Sequence, residues 1–297
     1  MINNSQPLIS LLVANFNNGK YIAETLQSAV NQTYKNIEIV VIDDASTDNS
    51  REIIRSFIAK NPAACIRFFE NESNSGGCGG IKNQCIAFSH GDYFAFLDPE
   101  DTIEPNSVDV LYAEHVRNGQ LGIVYCSHWL CNEQLEPQSI STWVGAIPQG
   151  QSHLTSTGGH ISAFALCKRA DYNKTGGINP TYEVAEDMDL YLKMEEVAPV
   201  LFVDQPMYYY RKHDHNASWD YQKRYRNLFW RHKAETAAYI RRKTGKTRAE
   251  NLTRNQLNRK NFSFMMQMAK FERNNKNYWK SLVYNIKALP YLYAFFS

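Results

Sequence analysis

The 297-residue sequence lacks several features that would define its class. It has no apolar run approaching the ~20 residues that cross a membrane, and its polar start, MINNSQP, is not that of a signal peptide, so we expect a cytoplasmic protein. Its six cysteines include no CxxC pair, which argues against a zinc site and indicates reduced core residues. It contains no Walker A motif, GxGxxG motif or nucleic-acid-binding module, so we expect no nucleic-acid partner.

The net charge of +2 hides a strong division along the chain. Residues 1–204 carry 12 Lys and Arg against 25 Asp and Glu, a balance of −13, whereas residues 205–297 carry 20 against 5, a balance of +15. The length and the 43% hydrophobic content suit one large domain with an appendage. The basic part should either meet an anionic surface, such as the inner face of a membrane, or pack on the acidic part.

Apolar runs alternate with stretches of helical spacing in the first hundred residues. The runs cover residues 8–13, 37–42, 66–69 and 93–97. This alternation predicts an α/β fold with a mostly parallel sheet, whose loops gather at one edge. The residues expected to converge on a crevice at that edge are Asn17, Asp44, Gly76 and Asp98. The glycine-rich segment 74–80 would allow its backbone to approach a ligand closely.

An acidic cluster follows the strand predicted at 93–97. Asp98, Glu100 and Asp101 lie within four residues, and carboxylates this close repel one another unless a cation neutralises them. Oxygen ligands favour a hard divalent ion such as Mg²⁺ or Mn²⁺. Taken alone, these residues fit an acidic turn at the end of a strand equally well.

Further strands are predicted at residues 122–130, 161–167 and 200–203. Residues 134–159 separate the first two, show weak periodicity and carry one exposed-looking aromatic residue, Trp143. Because a loop of this length in a compact domain is more often functional than idle, we expect a role for it.

Two later segments carry candidate functional groups. A short helix is predicted at 186–195, and its first turn holds three acids, Glu186, Asp187 and Asp189. Acids at a helix start also satisfy its dipole and its free amide groups, so the pattern alone favours a structural role. The loop at 208–218 contributes His213 and His215, which matter only if they reach the acidic cluster.

From residue 220 onwards, aromatic and basic residues are interleaved at helical spacing, and two more helical patterns cover 252–271 and 278–289. One interpretation is a helical appendage that packs on the sheet with its Lys and Arg residues in water. The other is a peripheral contact with an anionic membrane.

Five segments carry a resemblance to a known family. They are LLVANFN, VVIDDASTDNS, FLDPEDTIEP, EDMDLYLKM and YYYRKHDHNAS. In this order they resemble the motifs of inverting family 2 glycosyltransferases of the GT-A fold, the type that builds bacterial cell-surface polysaccharides. The resemblance implies a Rossmann-like, mostly parallel sheet flanked by helices in a catalytic domain at 1–218, followed by a basic, aromatic-rich helical region at 219–297.

The resemblance also implies roles for individual residues. The nucleotide-sugar, a UDP-sugar by the position of Asp44, would be bound by Asn15, Phe16, Asn17, Asp44, Gly76, Lys82 and Asp98. A Mn²⁺ or Mg²⁺ ion would be held by Asp98, Glu100 and His213. The catalytic base would be Asp187, and the acceptor would be contacted by Glu186, Asp189 and Trp143. Glu100 stands where the family usually has Asp, so its carboxylate lies one methylene further out.

These roles describe a metal-dependent, inverting transfer of a sugar to a hydroxyl of a glycan or lipid-linked acceptor in surface polysaccharide synthesis. Two other classes remain open. A nucleotidyltransferase would release pyrophosphate instead of a nucleoside diphosphate. A non-catalytic nucleotide-sugar-binding protein on the same fold is the other, because Glu100 departs from the usual motif.

Overall fold

A computed structural model describes residues 6–213, 221–245 and 247–291, without the side chains of 221–224. Its elements, in chain order, are β1 (Ile9–Asn15), α1 (Ile22–Val30), β2 (Ile37–Asp43), α2 (Ser50–Lys60), β3 (Ile66–Glu70), α3 (Cys78–Phe88), β4 (Tyr93–Phe96), β5 (Thr102–Ile103), α4 (Ser107–Asn118), β6 (Ile123–Cys131), β7 (Pro137–Ile140), β8 (Ala165–Lys168), α5 (Arg169–Tyr172), α6 (Glu186–Val197), β9 (Val200–Arg211), α7 (Tyr221–Thr244), α8 (Arg254–Asn274) and α9 (Tyr278–Ala288). Residue His215, the polar start of the chain and the expected domain boundary at 218 lie outside the described residues.

The strands form one sheet in the order β3-β2-β1-β4-β8-β6-β9-β5, with β7 paired to β6. The predicted α/β fold is confirmed, and β3, β2, β1 and β4 run parallel. The sheet as a whole is mixed, because β8 is antiparallel to both β4 and β6. The chain between β6 and β8 contains the short strand β7 and no helix, and such a connection suits an antiparallel return, since parallel neighbours need a crossover.

Alternate residues of the parallel strands enter two separate cores, one on each face of the sheet. The first core includes Ile9, Leu11, Val13, Ile39 and Val41. The second includes Leu12, Val40 and Ile42. Because both faces are covered, the runs at 8–13 and 37–42 are apolar except at Ser10 and Glu38. These two buried polar side chains are neighbours, and Ser10 donates from Oγ to Glu38 Oε1 at 2.7 Å.

Strand β9 is much longer than the strand predicted at 200–203. It continues to Arg211 because it pairs with β6 as far as Cys131 and with β5 through Tyr208 and Tyr209. The tyrosine-rich stretch assigned to a loop is therefore largely a strand. Its extension carries His213 to the carboxyl end of the sheet beside the acidic cluster.

The C-terminal helices pack on the sheet domain through α6. Trp230, Ala234 and Ala238 of α7 share a buried apolar cluster with Met188 and Leu192 of α6. In the sequence, α8 follows α7 and leads into α9, and these helices pack successively on one another.

One basic side chain of α7 departs from the expected solvent-facing arrangement. Arg242 is buried, and it pairs with Glu195 at 2.9 Å and with Glu196 at 3.2 Å, both on α6. It also donates a hydrogen bond to Ser152 Oγ at 2.8 Å. Charge opposition therefore joins the basic and acidic parts of the chain at this point.

The cysteines are free, and four of them, Cys85, Cys126, Cys131 and Cys167, are buried, as predicted for reduced core residues. Cys65, which precedes β3, is exposed. Within the described residues, no helix combines the length and the apolar character that crossing a bilayer requires.

Candidate active site

Lys82 of α3 connects the acidic turn after β4 to the start of α6. Its Nζ lies 2.7 Å from Glu186 Oε1 and 3.5 Å from Asp98 Oδ1, and 5.1 Å from the centroid of the Phe96 ring. Burial alone would lower the pKa of Lys82, but the carboxylates of Asp98, Glu186 and Asp187 outweigh it and raise that pKa well above its ordinary value. Lys82 is therefore a buried cation that holds carboxylates from distant segments together.

The first turn of α6 presents two neighbouring carboxylates in different surroundings. Burial raises the pKa of Glu186, Lys82 opposes this rise and the charge of Asp187 adds to it. Asp187 is only half-buried, and its Oδ1 accepts a hydrogen bond from the backbone N–H of Met188 at 2.7 Å. Ala185, which precedes the helix, has a φ of 61°. Thus Lys82 is paired to Glu186, while the more exposed Asp187 lies in the first turn of α6, where the positive end of the helix dipole favours its charge.

The carboxylate of Asp189 is paired with two basic side chains. Its side chain is buried, its Oδ2 lies 2.6 Å from Lys193 Nζ, and its Oδ1 lies 3.8 Å from Arg241 of α7. Both carboxylate oxygens face cations, so Asp189 links α6 to α7, and the acceptor-binding role expected for it stays a prediction.

The loop after β1 binds the loop after β2. The buried Asn15 donates from Nδ2 to Asp43 Oδ2 at 2.8 Å, and Asn17, at a φ of 56°, accepts from the backbone N–H of Thr47 at 2.8 Å. The structure therefore places Asn15 and Asn17 as supports of the two loops. Phe16, between them, is 46% exposed, and its contact with a nucleotide stays a prediction.

Asp44 accepts hydrogen bonds from the segment between β3 and α3 and so holds it in place. Its carboxylate accepts hydrogen bonds from Ser75 Oγ at 2.7 Å, from Ser75 N at 3.0 Å and from Asn71 Nδ2 at 2.7 Å, and the residue is almost fully buried. Sequence reasoning missed Ser75 and Asn71. The polar run NESNS after β3 is the signal that could have drawn attention to them.

The glycine-rich segment packs closely against the backbone of residues 179–183. A Cβ on Gly77 would lie 2.6 Å from Glu183 Cα, and one on Gly79 would lie 2.5 Å from the carbonyl oxygen of Asn179. At these two glycines the backbone of 179–183 fills the space beside the segment. Gly76, at a φ of +83°, has open space beside it and remains a candidate for donor contact.

Glu100 and His213 form the part of the expected metal set that the fold brings together. Glu100 Oε2 lies 3.1 Å from His213 Nε2, and the His213 ring lies 5.1 Å from the Tyr21 ring. Asp98 is instead beside Lys82, and the described residues contain no group of three His, Cys, Asp or Glu side chains able to hold a metal ion. A carboxylate oxygen and an imidazole nitrogen fit an ion such as Mn²⁺ that takes its other ligands from a substrate and water.

Asp101 anchors the acidic turn to β9. Its buried carboxylate accepts from the Tyr208 hydroxyl at 2.6 Å and from the backbone N–H of Arg211 at 2.8 Å. Burial, followed by the charge of Asp98, raises the pKa of Asp101 well above its ordinary value. Arg211 Nε in turn donates to the carbonyl oxygen of Glu100 at 2.7 Å. Tyr208 and Arg211, which sequence reasoning also missed, fix the turn that bears Glu100.

Trp143 lies on the segment between β7 and β8 and is 43% exposed, as expected. Its ring centroid is 5.4 Å from that of His128, on β6. The structure thus supports an accessible aromatic surface at this position, and its contact with an acceptor stays a prediction.

Comparisons with known proteins identify the family of the chain. The model of the family described as glycosyl transferase family 2 matches residues 10–175, which is more than half of the chain. A relative, the chondroitin synthase of Escherichia coli, is 30% identical over 212 residues, a match that covers 71% of this chain and 30% of that protein. The chain therefore spans less than a third of that synthase.

Solved structures show the same fold. Staphylococcus aureus TarS 1–349 in complex with UDP-GlcNAc matches 92% of this chain and 89% of that one, with a TM-score of 0.62 and 19% identity. The mannosyltransferase PcManGT from Pyrobaculum calidifontis, in complex with GDP-Man and Mn²⁺, matches 96% and 88%, with a TM-score of 0.56 and 14% identity. Together with the family match, these findings show that this chain belongs to glycosyl transferase family 2 and has the GT-A fold.

Proposed function

We propose that the chain transfers a sugar from a UDP-sugar to a hydroxyl of a glycan or lipid-linked acceptor in the synthesis of a surface polysaccharide. The observation that carries this proposal is the contact of Lys82 with both Asp98 and Glu186, because it joins the acidic turn of the donor side to the helix that bears Asp187. The proposal treats residues 1–218 as the catalytic domain and 219–297 as a helical region attached to it.

The donor would lie along the loops that follow β1, β2 and β3. Phe16 is exposed at this edge and Gly76 has open space beside it, so both are available to a nucleotide. Asp44 orders the edge through Ser75 and Asn71. The bound UDP-GlcNAc of the similarly folded TarS supports the choice of a uridine nucleotide.

The transfer needs a base that takes the proton of the attacking hydroxyl. Asp187 suits this role because it is half-buried at the start of α6, while its neighbour Glu186 is held by Lys82. The single displacement takes place on the face of the sugar opposite the leaving diphosphate and inverts the anomeric centre. An α-linked donor would therefore give a β-linked product.

Glu100 and His213 are the residues that would hold a Mn²⁺ or Mg²⁺ ion, and Asp98 remains a candidate ligand. When bound, such an ion supplies Lewis-acid neutralisation of the diphosphate charge. The Mn²⁺ in the complex of PcManGT, which shares the fold, supports a divalent cofactor. The contacts of Arg211 and Asp101 keep Glu100 in place beside His213.

Substitution of Asp187 tests the proposed base. Asp187→Asn should keep UDP binding, measured by calorimetry, while nucleoside diphosphate release from a panel of UDP-sugars and oligosaccharide acceptors falls by roughly 10²- to 10⁴-fold. Asp189→Asn is a matched control, because that buried acid pairs with Lys193 and should affect stability more than turnover. Wild-type turnover in Asp187→Asn would remove Asp187 from the role, and release of pyrophosphate in place of UDP would overturn the proposed reaction.

A further inference from the structure

Helix α9 has an unusual distribution of side chains, with small residues inside and large apolar residues outside. Ser281 donates from Oγ to the carbonyl oxygen of Ala269 on α8 at 2.8 Å, and both Ser281 and Ala288 are buried. The large apolar side chains that are between 47% and 74% exposed are Tyr278, Trp279, Leu282, Ile286 and Leu289. The helix therefore binds α8 through its small residues and presents its largest apolar groups outward.

The exposed apolar residues form one continuous face. Tyr278, Leu282, Ile286 and Leu289 follow one another at spacings of three and four residues, which places them in a row along a helix. Contiguous apolar faces of this kind mark contact sites on soluble proteins, whereas single exposed apolar residues need no explanation. The face is thus a candidate contact surface.

The charged residues from 273 onwards, which include those of α9, are all basic. Lys276, Lys280 and Lys287 are exposed next to it, and the sequence contains no Asp or Glu after Glu272. Lysine heads near a bilayer bind anionic headgroups while their stems lie along apolar surface. Trp and Tyr side chains, such as Trp279, favour the boundary between water and acyl chains.

We propose that the outer face of α9 docks on the surface of an anionic lipid bilayer. Leu282, Ile286 and Leu289 would enter the boundary between headgroups and acyl chains, and the lysines would bind lipid phosphates. A second copy of the chain fits this face less well, because apposition of two α9 helices would bring their lysines together without any acid to offset them. The inference is independent of the proposed reaction, since lipid binding requires no substrate.

Vesicle sedimentation tests the proposal on the full chain. The protein should pellet with vesicles of phosphatidylcholine and phosphatidylglycerol at 3:1, a probe composition of roughly one anionic lipid in four, and much less with phosphatidylcholine alone. Leu282→Gln/Ile286→Gln should lower the apparent partition constant by roughly tenfold or more, since it removes apolar groups from the interface. Ile240→Gln is the matched control, because Ile240 is an exposed apolar residue of α7 outside this face and its replacement should leave binding unchanged.

A charge variant tests the basic surroundings separately. Lys280→Gln/Lys287→Gln should weaken binding by roughly fivefold per lysine at low salt, and the difference from the wild type should shrink as salt rises. Lys60→Gln on α2 is the control for loss of an exposed lysine elsewhere. Unchanged circular dichroism and melting temperature would show that the variants remain folded.

Three results would overturn the proposal. The first is equal sedimentation of the wild type and the Leu282→Gln/Ile286→Gln variant. The second is binding that ignores lipid charge. The third is a concentration-dependent dimer, measured by light scattering, that this variant abolishes, since it would assign the face to a second copy of the chain.

Discussion

Asp98 and Glu186 share one cation, the ammonium group of Lys82, although one carboxylate follows β4 and the other begins α6. The acid that follows Glu186 in sequence is the proposed base, and Asp98 belongs to the turn that bears Glu100. The relative position of the two halves of the proposed reaction centre therefore depends on one largely buried lysine, whose side chain is 13% exposed. Loss of that lysine should therefore disturb both the acidic turn at Asp98 and the start of α6 at Glu186.

The lysine and its nearer partner should behave as a coupled pair. Lys82→Met leaves Glu186 buried without its cation, and the loss of one partner of a buried pair costs about 3 to 5 kcal/mol. In Lys82→Met/Glu186→Gln no such charge remains, so the double variant should recover part of the lost stability. Urea unfolding of the wild type, Lys82→Met, Glu186→Gln and the double variant measures the coupling free energy between the two residues.

Strict additivity of the two single substitutions would contradict this pairing. Arg55→Met, which removes an exposed cation paired with Glu70, is the control and should cost about 1 kcal/mol or less. The same variants should be assayed for turnover, because Lys82→Met should also reduce it through displacement of Asp98.

Removal of divalent ions should stop the reaction. EDTA should abolish nucleoside diphosphate release, and Mn²⁺ or Mg²⁺ should restore it, because the departing diphosphate needs charge neutralisation. Glu100→Gln and His213→Ala should each weaken Mn²⁺ binding measured by calorimetry in the presence of UDP, since each removes one donor of the 3.1 Å pair.

Glu114→Gln is the matched control for the metal variants, because this acid of α4 pairs with Arg117 of the same helix and should leave Mn²⁺ binding intact. Full activity in EDTA would rule out the metal role of Glu100 and His213. It would also point to basic side chains beside the acidic turn, such as Lys82 and Arg211, as the source of charge neutralisation.

Two neighbouring arginines of α7 should differ in their effect on stability. Arg242 is buried against Glu195 and Glu196, so Arg242→Met should reduce the free energy of unfolding by about 3 to 5 kcal/mol. Arg241 is partly exposed beside Glu196, and Arg241→Met should cost about 1 kcal/mol. Equal losses in urea unfolding would show that α7 is not anchored through Arg242.

The sequence was sufficient to predict the family and most of the longer elements, because apolar runs and local motifs act over short distances, but it did not indicate β5, β7 or the full length of β9. The strands at 8–13 and 37–42 are almost entirely apolar in sequence, because both of their faces are buried. It could not predict the direction of β8, because an apolar run has no polarity of its own. Strand direction is decided by the connection that leads into it.

Side-chain contacts between residues far apart in the sequence could not be predicted from the sequence either. Nothing local distinguishes Glu186, which binds Lys82, from Asp189, which binds Lys193, since both are acids in the first turn of a helix. The burial of Asn15 beneath Asp43 likewise follows from the packing of two loops and not from the motif that contains it. The motif located the site, and only the fold divided its residues into supports and exposed groups.

The glycines of α3 have a consequence for evolution of the site. At Gly77 and Gly79 the backbone packs directly against the backbone of residues 179–183, which precede α6 and Asp187. A Cβ at these positions would lie only 2.6 Å from Glu183 Cα and 2.5 Å from the carbonyl oxygen of Asn179. A side chain at either position would force the two segments apart and move the Glu186 carboxylate away from Lys82. If the proposed reaction is right, the surrounding loops can change during evolution to accept other sugars, whereas Gly77 and Gly79 should stay glycine because a side chain there would meet the backbone of 179–183.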